Sequence, residues 1–117
     1  SRLFSNAIRY AREKGFTKIE AGNAEDGSRA DIDYIIELGR NAMAAGATRQ
    51  AFPDTVGVFT PEAVRFYVSR LVEAFPETDL VVHFHNDFDL ATINTITALS
   101  VGNSRNTLQS AFITKGR

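Results

Sequence analysis

Leu80-Val81-Val82-His83-Phe84-His85-Asn86-Asp87 is the stretch around which the chain is organised. Its first six residues are mostly aliphatic, aromatic or β-branched and the apolar run is short, which is how a buried strand reads. Upstream, Pro76 closes a segment in which Val64, Tyr67, Val68, Leu71 and Phe75 recur at helical spacing. Thr60 is placed to cap that helix, with Pro61 at the first position, where a missing amide costs nothing. Downstream, Leu90 to Leu99 predicts another helix, although threonine is a weak helix former.

The same beat runs back to the N-terminus. Thr48-Arg49-Gln50-Ala51-Phe52 is a short strand candidate with poor alternation, and Gly46 stops the helix before it. That helix carries Ile32, Ile35, Ile36, Gly39, Ala42 and Met43 as one stripe, and Ser28 with Asp31 resembles a capping box at its start. Earlier still, Phe16-Thr17-Lys18-Ile19-Glu20-Ala21 predicts a strand. It follows a helix bearing Leu3, Phe4, Ala7, Ile8 and Ala11 that Gly15 ends. Strand starts at Lys18, Thr48 and Leu80 lie 30 and 32 residues apart. One strand and one helix per repeat is the βαβ unit, which makes the strands parallel. Apolar runs without strict alternation fit strands buried on both faces. A TIM (β/α)8 barrel takes about 250 residues. The expected fold is therefore α/β, with three to four βα units of an incomplete barrel. Residues 1–102 read as a partial barrel domain, and 103–117, which carries no chemical motif, as a C-terminal tail that the resemblance below marks as divergent.

Composition narrows the function. The 117 residues are 44% hydrophobic and 23% charged, as in a globular domain. Thirteen basic against fourteen acidic side chains give a net charge of −1, which removes the electrostatic case for nucleic acid or a membrane surface as partner. No apolar run approaches the roughly 18 residues of a membrane span, and no signal-peptide core is present, so a cytoplasmic protein is expected. Without cysteine, any metal must be held by His, Asp, Glu or Asn. Tyr34, Tyr67 and the nine phenylalanines are expected mainly in the core.

In each unit the polar residues follow the strand: Glu25-Asp26, then Asp54-Thr55, then His83, His85, Asn86 and Asp87. That edge carries the active site in barrels and open α/β sheets alike. Residues two apart on a strand face one way. His83 and His85 therefore project together and could share one cation, with Asn86 or Asp87 as an oxygen ligand or support. The plainer alternative is a pair of polar residues at a strand end. Asp54 could equally be a turn residue bonding backbone amides. Glu25 and Asp26 could simply favour a helix dipole, with Arg29 pairing either acid.

Taken in order, Glu25-Asp26-Gly27-Ser28-Arg29-Ala30-Asp31, Ala45-Gly46-Ala47, Pro53-Asp54-Thr55-Val56-Gly57 and His83-Phe84-His85-Asn86-Asp87 resemble the 2-isopropylmalate, homocitrate and citramalate synthases. These are metal-dependent TIM-barrel enzymes grouped with hydroxymethylglutaryl-CoA lyase. The resemblance implies a Claisen-type acyltransferase that condenses acetyl-CoA with a 2-oxo acid at a divalent metal (Zn, Mn or Mg). It implies His83 and His85 as metal ligands, Thr55 as the residue bonding the substrate carboxylate and Glu25 as the catalytic acidic residue. Asn86 and Asp87 would orient the ligands. The family's Arg-Asp pair, whose Asp binds metal, has no counterpart here, and the segment after Gly102 departs from the family's Asn-Gly-x-Gly-Glu pattern. The chain alone is therefore expected to be inactive, and its exposed sheet edges imply a homo-oligomer. The alternatives are a non-catalytic α/β fragment, or a carbon–carbon lyase or aldolase of the same group. Asn86 speaks against the latter.

Overall fold

The computed structural model describes residues 2–22 and 26–102, and the backbone of 108–113. Helix α1 (Arg2–Glu13) leads to β1 (Glu20–Ala21). The chain then alternates α2 (Ile32–Ala45), β2 (Arg49–Asp54), α3 (Pro61–Ala74), β3 (Asp79–His85), α4 (Ala91–Val101) and β4 (Leu108–Ile113). The strands form one sheet in the order β1-β2-β3-β4, parallel at every pairing. The βα repeat expected from the sequence is thus the architecture observed. Within the segment set apart as a tail, Leu108–Ile113 pairs with β3 from Leu80 to His85 as a fourth strand.

Local chemistry sets the helix ends. The Thr60 hydroxyl accepts the Ala63 amide at 3.2 Å and Pro61 opens α3, as anticipated. At α2 the expected Ser28–Asp31 box does not form. Ser28 lies in a 3₁₀ turn, Gly27–Arg29, and Asp31 is itself the cap, its Oδ1 accepting the amides of Asp33 and Tyr34 at 2.8 and 3.3 Å. A two-atom carboxylate arm on an extended residue reaches the first turn directly, so no reciprocal partner is needed.

Two further expectations are corrected. Only Glu20–Ala21 of the segment 16–21 pairs as a strand. The Phe16 amide turns back to Ala11 O at 3.2 Å, and the Arg12 guanidinium donates to the carbonyls of Phe16 and Thr17 at 3.3 Å. These residues finish α1, and Phe16 is exposed. Among the described residues, the strands are also covered on one face only. β2 buries Gln50, Phe52 and Asp54, β3 buries Leu80, Val82 and Phe84, and the residues between them are half-buried. Helices α2, α3 and α4 cover the first face through Ile32, Ile35, Ile36, Val64, Val68, Leu71, Ala91 and Ala98. The aliphatic Leu80-Val81-Val82 run masked a period of two, because Val81 stands on the other face. That open face also carries Ala51, Pro53, His83 and His85. Tyr34, Phe66 and Phe88 are exposed rather than core.

Candidate metal and substrate site

At the C-terminal edge of the open face, β3 delivers both imidazoles to one side. His83 Nε2 and His85 Nε2 lie 3.2 Å apart, with ring centroids 4.9 Å apart. Register places Pro53 of β2 beside His83. Burial, and then the neighbouring charge of His85, hold the His83 pKa below its ordinary 6.5. His85 Nδ1 is buried and finds no hydrogen-bond partner among the described residues.

A cavity of about 370 Å³ opens beside the pair, lined by Glu20, Gly22, Ala51, Pro53, Thr55, Val81, His83 and His85. Residues from β1, β2 and β3 and from the loops after β1 and β2 therefore meet in one hollow. Thr55 joins two of those loops, because its Oγ1 accepts the Asp26 amide at 2.8 Å. With its acceptor so engaged, the hydroxyl hydrogen remains available to a ligand oxygen. Asp26 is also held by Arg29, whose Nε donates to Asp26 Oδ2 at 2.6 Å and whose own pKa is raised by that bond and charge. Of the two acids offered to Arg29, Asp26 is paired with it, and Glu25 lies outside the described residues.

Asp54 does not reach the cavity. Its carboxylate is fully buried and accepts the amides of Val58 and Phe59 at 3.1 and 2.9 Å, so the turn reading describes it. That turn fixes the third loop as well. Gly57 has φ +69, and a Cβ there would stand 3.2 Å from Asp87 Cβ, Asp87 N and His85 O. A side chain there would be strained by the backbone and crowded by the segment that follows the histidine strand. Asn86 Oδ1 accepts the Ala91 amide at 3.1 Å and so starts α4, where Leu90 offers no side-chain cap. Asn86 thus ties the turn after His85 to the start of α4, and its Nδ2 also donates to Asp89 Oδ1 at 3.3 Å.

The donor set suits a divalent ion. Two nitrogens 3.2 Å apart match two imidazoles bound at roughly 2.1 Å to one ion with roughly 100° between them. No group of three or more His, Asp or Glu able to hold a metal occurs among the described residues. Glu20 is the cavity residue that sequence reasoning missed. The signal was its even spacing with Gly22 on the open face, hidden by the expectation of a longer strand.

Residues 1–107 match the model of the HMGL-like family. The chain belongs to that family. Among its relatives, this HMGL-like chain is 47% identical over 96 residues to the putative (R)-citramalate synthase of Archaeoglobus fulgidus, covering 82% of this chain and 19% of that protein. It is 39% identical over 100 residues to the homocitrate synthase of Sulfurisphaera tokodaii, covering 86% and 21%. With the 2-isopropylmalate synthase of Methanocaldococcus jannaschii it shares 40% over 97 residues, covering 83% and 18%. The chain spans about a fifth of the length of these relatives. The Bacillus subtilis HMG-CoA lyase has the same fold, with a TM-score of 0.75 at 21% identity over 95% of this chain and 38% of that one. No helix among the described residues is long and apolar enough to cross a membrane.

Proposed function

We propose that this chain supplies part of the site of a Claisen-type acyltransferase, which condenses the acetyl group of acetyl-CoA with a 2-oxo acid at a divalent metal. The observation that carries the reading is the convergence of His83 Nε2 and His85 Nε2, 3.2 Å apart, beside Thr55 in one cavity. The three named synthase relatives support it.

When bound, a divalent ion supplies Lewis-acid polarisation of a ketone oxygen. The chain's own residues do the rest. Both histidines must be neutral to bind an ion, and burial of His83 favours its neutral form. Thr55 donates its hydroxyl hydrogen to the substrate carboxylate, while the Asp26 amide keeps the oxygen aimed. Glu25 is assigned as the acidic catalytic residue on the resemblance to the synthases. Asn86 caps α4 shortly after His85, and Asn86 and Asp87 are assigned to orienting the metal ligands on the resemblance to the synthases. The remaining metal donors lie beyond the described residues. The same reading carries a cytoplasmic, homo-oligomeric enzyme of amino-acid biosynthesis.

Calorimetric titration of the chain with zinc or manganese tests the ligand assignment. A His83→Ala/His85→Ala double variant is expected to lose about tenfold or more in affinity. Equal affinity in the two proteins would remove the metal from this site.

A further inference from the structure

The cavity has two unlike ends. At one stand the imidazoles and Thr55, with Pro53 level with His83; the wall between is Gly22, Ala51 and Val81, all small and uncharged; at the other end stands Glu20. Sheet register places Glu20 level with Arg49 and Asp79, four residues before His83 along β3. Arg49 lies between the two acids, 3.8 Å from Glu20 and 3.9 Å from Asp79. Two carboxylates against one guanidinium leave that end negative. Glu20 is also the one carboxylate among the described residues lining the cavity.

We propose that this cavity admits a 2-oxo acid with a short, uncharged side chain, and that Glu20 rejects one whose side chain ends in a carboxylate. The inference rests on the condensation reading above and deepens it. A substrate gripped by its 2-oxo acid head at the histidine end extends its side chain along the small apolar wall toward Glu20. A methyl there meets apolar surface. A second carboxylate would give up hydration to face a like charge, and Arg49 is already shared between two acids. Repulsion of the wrong partner separates substrates that an apolar wall alone would not.

The test uses the full-length protein carrying this sequence and a matched pair of probes, 2-oxopentanoate and 2-oxoglutarate. They share a five-carbon chain and differ by a terminal methyl against a carboxylate. CoA release from acetyl-CoA gives kcat/KM for each, and the methyl-ended acid is expected to be preferred by about tenfold or more. Glu20→Gln, checked for folding by its circular dichroism and thermal melt, is expected to narrow that preference about threefold or more. A wild-type preference for 2-oxoglutarate, or a ratio that Glu20→Gln leaves unmoved, overturns the role of Glu20 while leaving condensation intact. CoA release with neither acid overturns condensation and this inference together.

Discussion

Two imidazole nitrogens 3.2 Å apart cannot both carry protons without repulsion, and His83 is half-buried as well. Both effects keep its pKa below 6.5 in the folded chain. Below the unfolded value the unfolded chain takes up a proton that the folded chain refuses. Stability is then complete above 6.5 and falls as the pH drops through that value toward the lower folded pKa. Urea unfolding in chelator between about pH 7.5 and 5.5 should therefore show a loss that is smaller in His83→Gln. An identical pH slope in the two proteins would mean that the rings are apart in solution. At this scale, strand parity made the meeting of His83 and His85 legible in the sequence. The bond from Asn86 to the Ala91 amide was not, because it depends on where α4 begins, and its first residue was misread by one.

Among elements, the alternation of strand and helix was legible because each helix has its own stripe and stop. Gly46 illustrates this, ending α2 at φ +114 with its amide on Ala42 O and Met43 O. The strand lengths were not legible. β2 runs to Asp54 through Pro53, a residue that ordinarily argues against a central strand. It is tolerated because β1 pairs with β2 only as far as Gln50, so Pro53 has just the β3 neighbour among the described strands. Helix-to-sheet distance rests on an equally local choice. A Cβ on Gly39 would stand 2.6 Å from Phe75 Cζ and 3.1 Å from Gln50 Oε1, while Gln50 Nε2 donates to the Gly39 carbonyl at 3.1 Å. Gly39→Ala should cost about 1–3 kcal/mol by overpacking, despite the better helix propensity of alanine. The urea midpoint measures it, and adding Phe75→Leu should recover part of the loss. A stable Gly39→Ala protein would show that α2 is free to move off α3.

For the molecule as a whole, helices on one face of a parallel sheet leave the other in need of a cover, and composition said nothing about where that cover comes from. Ala51, Pro53 and Val81 stand half-buried on the open face. On the helical side, Ile93, Ile96 and Leu99 of α4 are also exposed. The two surfaces differ in kind: α4 shows separate exposed side chains, whereas the open face holds a hollow, in a sheet whose end strands β1 and β4 each have one neighbour among the described strands. Apolar hollows next to unpaired strand edges associate more readily than isolated exposed side chains. Expressed alone, the 117-residue chain should therefore scatter light as a species heavier than 12.9 kDa, with a mass that rises with concentration. Val81→Lys, which puts a charge into the hollow, should shift it toward monomer, and Ile96→Lys should not. If Ile96→Lys alone dissolves the assembly, α4 is the contact. A monomer at every concentration would mean that the open face tolerates water, and that the chain needs nothing laid across its histidines to stay folded.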